Sequence, residues 1–387
     1  MTGHTLGRAG YVPGFGRGGA GVSLAGVVDF DYERASRLGV ADALGAFVAG
    51  SAAPAGGSTS WRTMMTTWFV PRGWFGALAL SWLTMGSALA AAPAAGAPKR
   101  EALRSVVDSL AAEAARLAPG ADVAIAVKDL RTGEYAGSSD TVPHISASSA
   151  KVFWVAAALK KAEESKVAPL AEKVFRTSDN EASGAVIDLV GGPDAINDYL
   201  RSLDVKNTAL TKWNYGKPRR ATNSPQAMGN DNYLCAADAV SFLHRLSAGE
   251  LLKPKPTSRM LAWMELTPRE GCGGWLGTLL PAKVRASMRH KAGWLPPGCC
   301  SDDSRYNVLN EVGLVRLPDG GHYAVAILAA RGPDWPRQAF FVERASCVLY
   351  RTLSGEASLD CGESLAKQGG PAPVPVEDGG TPPNYDC

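Results

Sequence analysis

Histidine is scarce, five residues among 387, and His144, His244 and His290 stand at no metal-ligand spacing. No metal and no other cofactor is expected. An excess of either charge is also missing. The chain has 40 Lys and Arg against 37 Asp and Glu, a formal net charge of +3, too little for a nucleic-acid-binding surface. Long hydrophobic runs are lacking: the apolar stretch 74–83 is too short for a membrane span. No cysteine follows that stretch at a lipid-attachment site, so a lipid anchor is not indicated. With 46% hydrophobic and 20% charged residues, the composition is otherwise that of an ordinary globular chain.

The chain is uneven. Residues 1–60 are rich in Gly, Ala and Ser without helical or strand periodicity. Arg72, the apolar run from Trp74 to Leu83 and the small-residue pattern Ala88-Leu89-Ala90 then read as a signal peptide over 64–90. Residues 1–63 read as a disordered or untranslated extension, with Met64 or Met65 the expected start. Residues 91–99 form a small-residue linker, 100–355 a folded domain, and 356–387, rich in Pro and Gly, a disordered tail. Export to the periplasm or medium permits disulfides, and all seven cysteines lie beyond the signal segment (Cys235, Cys272, Cys299, Cys300, Cys347, Cys361 and Cys387). Their pairing cannot be deduced from spacing.

Within the domain, apolar spacing predicts a helix over 100–117 and a strand over 123–127 paired with a second around Tyr135. A helix opens at Ser148 and runs to about Lys161. Further helices are predicted over Glu181–Leu189, Pro193–Leu203, Ala236–Leu246 and Ser258–Leu266. Strands are predicted over Val284–Ala292, Tyr306–Leu317 and Tyr323–Ala329, and a closing helix over Arg337–Leu353. This order suits an α+β fold: one antiparallel sheet flanked by helices, with a helical subdomain inserted after the second strand.

Three short motifs carry chemistry. Ser148-Ser149-Ala150-Lys151 places a hydroxyl and an amine on one face of a helix start, where free N–H groups and the helix dipole favour developing negative charge. Serine is a poor nucleophile until a base takes its proton, and a lysine depressed by burial or by another cation can be that base. Ser178-Asp179-Asn180 adds hydrogen-bonding groups and also reads as a helix cap. Lys291-Ala292-Gly293-Trp294 ends a predicted strand, with Gly293 allowing close backbone approach. A second S-x-x-K, Ser364 to Lys367, lies in the expected tail, where nothing follows to build a site.

In this order the motifs spell S-x-x-K, S-D-N and a near-K-T-G, and the domain resembles the class A β-lactamases and related penicillin-recognising serine hydrolases. The resemblance covers roughly 100–355 and implies a five-stranded antiparallel sheet with an inserted helical subdomain. It implies Ser148 as nucleophile, Lys151 as base, Ser178 as proton donor to the leaving nitrogen, and Asn180 as a ligand of Lys151 and the substrate amide. Lys291, Ala292, Gly293 and Trp294 would border the substrate, with the N–H groups of Ser148 and Trp294 as the oxyanion pair.

The chain departs from that pattern. Trp213-Asn214 stands where the family carries a Glu after a Trp, so Asn214 could orient a hydrolytic water but hardly deprotonate it. Ala292 replaces a hydroxyl residue, Trp294 a small one, and the stretch between Ser148 and Ser178 is about half the usual length. The expectation is a monomeric hydrolase that forms an acyl-enzyme with a β-lactam or related amide and deacylates slowly. A D,D-peptidase or esterase acting on cell-wall substrates, and a non-catalytic binding protein on the same scaffold, remain open.

Overall fold

The computed structural model describes residues 102–215, 217–224, 231–269, 273–296 and 307–373. The proposed extension, signal segment and linker lie outside these residues, as do Cys272, Cys299, Cys300 and Cys387. Among the described residues no helix is long and apolar enough to cross a membrane.

The chain opens with α1 (Leu103–Leu117), whose buried Leu103, Val106, Val107, Leu110, Ala114 and Leu117 recur at helical spacing. Strands β1 (Asp122–Asp129) and β2 (Tyr135–Ser138) follow, then β3 (His144–Ile145) and a 3₁₀ turn (Ala147–Ala150) leading into α2 (Lys151–Lys161). The helices α3 (Glu164–Arg176), α4 (Asn180–Val190) and α5 (Pro193–Ser202) come next. A loop region with the short strands β4 (Lys212–Trp213), β5 (Arg219–Arg220) and β6 (Tyr233–Leu234) connects to α6 (Ala236–Ser247) and α7 (Pro254–Met264). After the helical turn α8 (Ala282–Arg285) come β7 (Arg289–Leu295), β8 (Asn307–Arg316), β9 (His322–Gly332), α9 (Trp335–Ser354) and α10 (Glu363–Lys367).

Five strands form an antiparallel sheet in the order β2-β1-β9-β8-β7. Both faces are covered, and the strands show it by alternation. In β9, Ala324, Ala326 and Leu328 join the core beneath the helical subdomain, while Tyr323, Val325, Ile327 and Ala329 join the core beneath α1 and α9. Helix α2 runs through the first of these cores, with every residue from Lys151 to Leu159 buried.

The sequence expectations and the structure differ in four places. Val284 and Arg285 lie in α8, because their N–H groups donate to the Pro281 carbonyl and the strand pairing starts only at Arg289. The helix expected at Ser148 begins as a 3₁₀ turn and becomes α-helical at Lys151. Helix α3 went unpredicted because Pro169 interrupts its pattern, yet Val167, Ala171, Val174 and Phe175 make a clear buried stripe. The fourth difference is the tail. Residues 356–373 pack onto the domain: Ala366 is buried, the Arg337 side chain donates to the Pro371 carbonyl, and Cys361 is disulfide-bonded to Cys347 of α9. The decoy motif around Ser364 is thus a helical turn of this clamp.

The disulfide closes a loop with a sequence separation of 14. Replacing Cys361 by Ser should cost about 3 kcal/mol and lower the melting temperature by roughly 6–12 °C. Thermal melts of the wild type should move comparably when reductant is added, and a melt insensitive to both changes would refute the clamp.

Candidate active site

The site is built where the 3₁₀ turn meets the edge strand β7. Asn310 of β8 donates from its side chain to the Ile145 carbonyl at 2.6 Å, and Ser146 N–H donates to the Asn232 carbonyl at 2.8 Å. These bonds fix the entry to the turn. Ala147 then adopts φ +46°, a left-handed conformation that disfavours a side chain and turns the backbone sharply before Ser148. Ser149 folds its hydroxyl back onto the Ser146 carbonyl at 2.6 Å and is fully buried, whereas Ser148 is partly exposed. Among the described residues, neither the Ser148 hydroxyl nor its N–H has a hydrogen-bond partner.

Gly293 brings β7 against this turn. A Cβ there would lie 2.2 Å from Ser149 N, 2.6 Å from Ser148 N and 2.8 Å from the Ser146 carbonyl oxygen, so only glycine fits.

Lys151, one turn on, is 1% exposed. Its Nζ donates to Asn180 Oδ1 at 2.7 Å, to the Ser178 carbonyl, and to Ser178 Oγ at 3.3 Å. Lys291, 2% exposed, reaches the same Ser178 Oγ at 3.0 Å and the Ala292 carbonyl at 2.7 Å. One hydroxyl thus sits between two buried amines. Ser178 is held there at φ +56° by Asp179, which caps α4 through a 2.7 Å bond from Ala182 N–H. The cap and the site are one structure.

Burial disfavours both ammonium groups. It pushes Lys151 well below its ordinary value, with repulsion from Lys291 adding to the shift and Asp179 opposing it. Burial lowers Lys291 to about 7, with Glu311 opposing the shift. A neutral lysine beside a serine at the head of a helix can accept a proton, and a second amine nearby can bind an anion.

The structure thus gathers the Ser148 segment, Lys151, Ser178, Asn180, Lys291 and Gly293. Three other expected residues lie differently. Ala292 and Trp294 alternate onto the opposite face of β7: Ala292 is 4% exposed in the core beneath α1 and α9, and the Trp294 ring meets Trp335 edge-on at 5.7 Å. A hydroxyl at 292 would therefore enter that core, and the Trp294 ring does not narrow the serine side of the strand. Asn214 is exposed. The inward residue of that dipeptide is Trp213, whose ring centroid lies 5.6 Å from Lys151 Nζ and which meets Trp154 edge-on at 4.9 Å. Sequence spacing pointed to the dipeptide but not to which of its two side chains turns in.

Residues 165–353 match the profile of the β-lactamase enzyme family. Over this part the chain is similar to that family. Among curated relatives, the extended-spectrum β-lactamase PER-1 of Pseudomonas aeruginosa is 27% identical over 39% of this chain and 44% of its own. A β-lactamase of Streptomyces albus G is 27% identical over 48% of this chain and 54% of its own. The chain thus spans about half the length of these curated relatives. Among solved structures, a class A β-lactamase from Bacteroides cellulosilyticus superposes with TM-score 0.53 at 20% identity, covering 66% of this chain and 99% of that one. PBP-A does so with TM-score 0.54 at 19% identity, covering 67% and 99%. The β-lactamase fold thus covers about two thirds of the chain.

The depressed lysine has a consequence for stability. In the native state Lys291 loses its proton near pH 7, whereas the unfolded chain keeps it up to the ordinary 10.5. The unfolded state binds more protons in that window, so stability rises with pH across it. Relative to a Lys291→Met variant, the wild type should gain stability between about pH 7 and pH 10 in denaturant titrations, and parallel stability curves would refute the depressed amine.

Proposed function

We propose that this protein is an exported serine hydrolase that opens β-lactams or related amides through an acyl-enzyme on Ser148. The observation that carries the reading is the Ser178 hydroxyl shared by two buried lysines, at 3.3 Å from Lys151 and 3.0 Å from Lys291. Neutral Lys151 takes the Ser148 proton as Oγ bonds to the substrate carbonyl carbon. The oxyanion rests on the unpartnered Ser148 N–H, paired with that of Trp294 as the resemblance implies. As the C–N bond breaks, Ser178 passes a proton to the departing nitrogen and is resupplied by Lys151. Asn180 holds Lys151 in place and offers its amide to the substrate side chain. Protonated Lys291 binds the substrate carboxylate, and Gly293 keeps the strand close enough for the substrate to lie along it.

Release of the acyl group is the slow step. Hydrolysis needs a water beside a base. On the loop side Lys151 faces the Trp213 indole, while Asn214 is exposed. The loop's carboxylates are engaged elsewhere: Asp231 pairs with Lys212 at 3.4 Å, and Asp204 lies on the surface with Lys206. One structure of this fold, a PBP-A variant, is an acyl-enzyme complex with penicillin G. The same loop favours a second reading, a D,D-peptidase or esterase in which Lys151 serves both half-reactions. The signal segment and the Cys347–Cys361 disulfide agree with an oxidising compartment outside the cytoplasm.

Intact-mass measurement after incubation with penicillin G should show an adduct of one penicillin that persists for minutes on the wild type and is absent from Ser148→Ala. Lys151→Met should slow its formation by about 10²–10⁴-fold. An adduct that survives Ser148→Ala would overturn the nucleophile. Without an adduct, hydrolysis of a D-Ala-D-Ala peptide or thioester would favour the second reading.

A further inference from the structure

Behind the site, on the opposite face of the sheet, lies a buried acid–base pair that the chemistry above does not use. His290 of β7 and Glu311 of β8 are both 0% exposed, and His290 Nδ1 lies against Glu311 Oε1. The other carboxylate oxygen, Oε2, accepts the Leu276 N–H at 2.9 Å. Gly313 makes room for the histidine, since a Cβ there would come within 2.9 Å of His290 Cβ. Glu311 sits directly across from Ala292 in the strand register, one residue from Lys291, whose side chain leaves the other face. Such pairs are costly to bury, and an apolar pair of similar volume would hold the two strands at least as well. A role beyond packing is called for.

We propose that Glu311 is a positioning residue that favours the cationic form of Lys291 through the sheet, so that more of the amine offered to a substrate carboxylate carries charge. Two opposite charges across one layer of backbone interact through weakly screened protein rather than solvent. The neighbouring groups agree with this assignment. The Lys291 charge repels that of Lys151, and Glu311 is the acid that opposes loss of the Lys291 proton. Asp179 acts on Lys151. Behind the sheet Glu311 faces His290 and also Glu343 of α9, which burial and the Glu311 charge raise to about 7. The role rests on Lys291 being the carboxylate anchor, but the charge coupling itself does not.

Glu311→Gln separates charge from shape. The amide can accept the Leu276 N–H with its oxygen and place its NH₂ against His290 Nδ1, so the packing is retained. The experiment titrates full-length protein carrying ¹⁵N-lysine by NMR, with the Lys291 signal assigned by its loss in Lys291→Met. In Glu311→Gln the Lys291 midpoint should fall by about one pH unit, a tenfold loss of proton affinity. The rate ratio of acylation by penicillin G to that by its uncharged methyl ester should fall about tenfold at pH 7.5 and recover on acidification. A ratio cancels any change at Lys151. If the single variant fails to fold, His290→Gln with Glu311→Gln carries the same expectation. A folded variant with an unmoved Lys291 midpoint overturns the proposal, whether or not the wild type reacts with penicillin. A lowered midpoint with an unchanged ratio keeps the coupling and overturns the anchoring role.

Discussion

Two lysine ammonium groups enclosed in protein around a single serine oxygen are the constraint from which the rest of this domain can be read. Desolvating one such group is unfavourable, and placing a second beside it adds repulsion. The chain holds the arrangement by surrounding it with rigid, well-packed elements. Helix α2 carries Lys151 through a core that encloses it on all sides. The cap of α4 fixes Ser178 in a backbone conformation that few residues adopt. Burial lowers the proton affinity of both amines, and a neutral amine is what a serine nucleophile requires. Burial, which ordinarily works against charge, is here what depresses both amines.

The same economy appears in the strand that carries Lys291. Its odd and even residues serve different masters. Lys291 and Gly293 address the serine turn, while His290, Ala292 and Trp294 address the core beneath α1 and α9. A substitution on the hidden face can therefore alter the site without touching a ligand, through charge in the case of Glu311 or through the register of the edge strand.

Much of this was legible in the sequence. The three motifs pointed to the candidate site because each needs a local geometry that short stretches of chain encode: a helix start, a cap, a strand with glycine. Strands β8 and β9 were readable because both of their faces are buried, which leaves nearly unbroken apolar runs. What stayed hidden depends on distant contacts. The inward turn of Trp213 rather than Asn214 is set by a β4–β5 pairing only two residues long, which no periodicity announces. Pro169 masked α3 because propensity and burial disagree there, and burial prevails. Residues 356–373 looked like tail because their hold on the domain comes from one disulfide and a few side chains, Ala366 among them, in a polar, glycine-containing stretch.

The close approach of the 3₁₀ turn to β7 has a further effect. An outermost strand normally offers unpaired backbone groups to any passing chain and so invites intermolecular sheet growth. Here the serine turn packs on the face of that strand at Gly293, while at the far side β2 is only four residues long and α1 lies over it. A variant that loosens the turn would bare more of the outermost strand and would be expected to become prone to association.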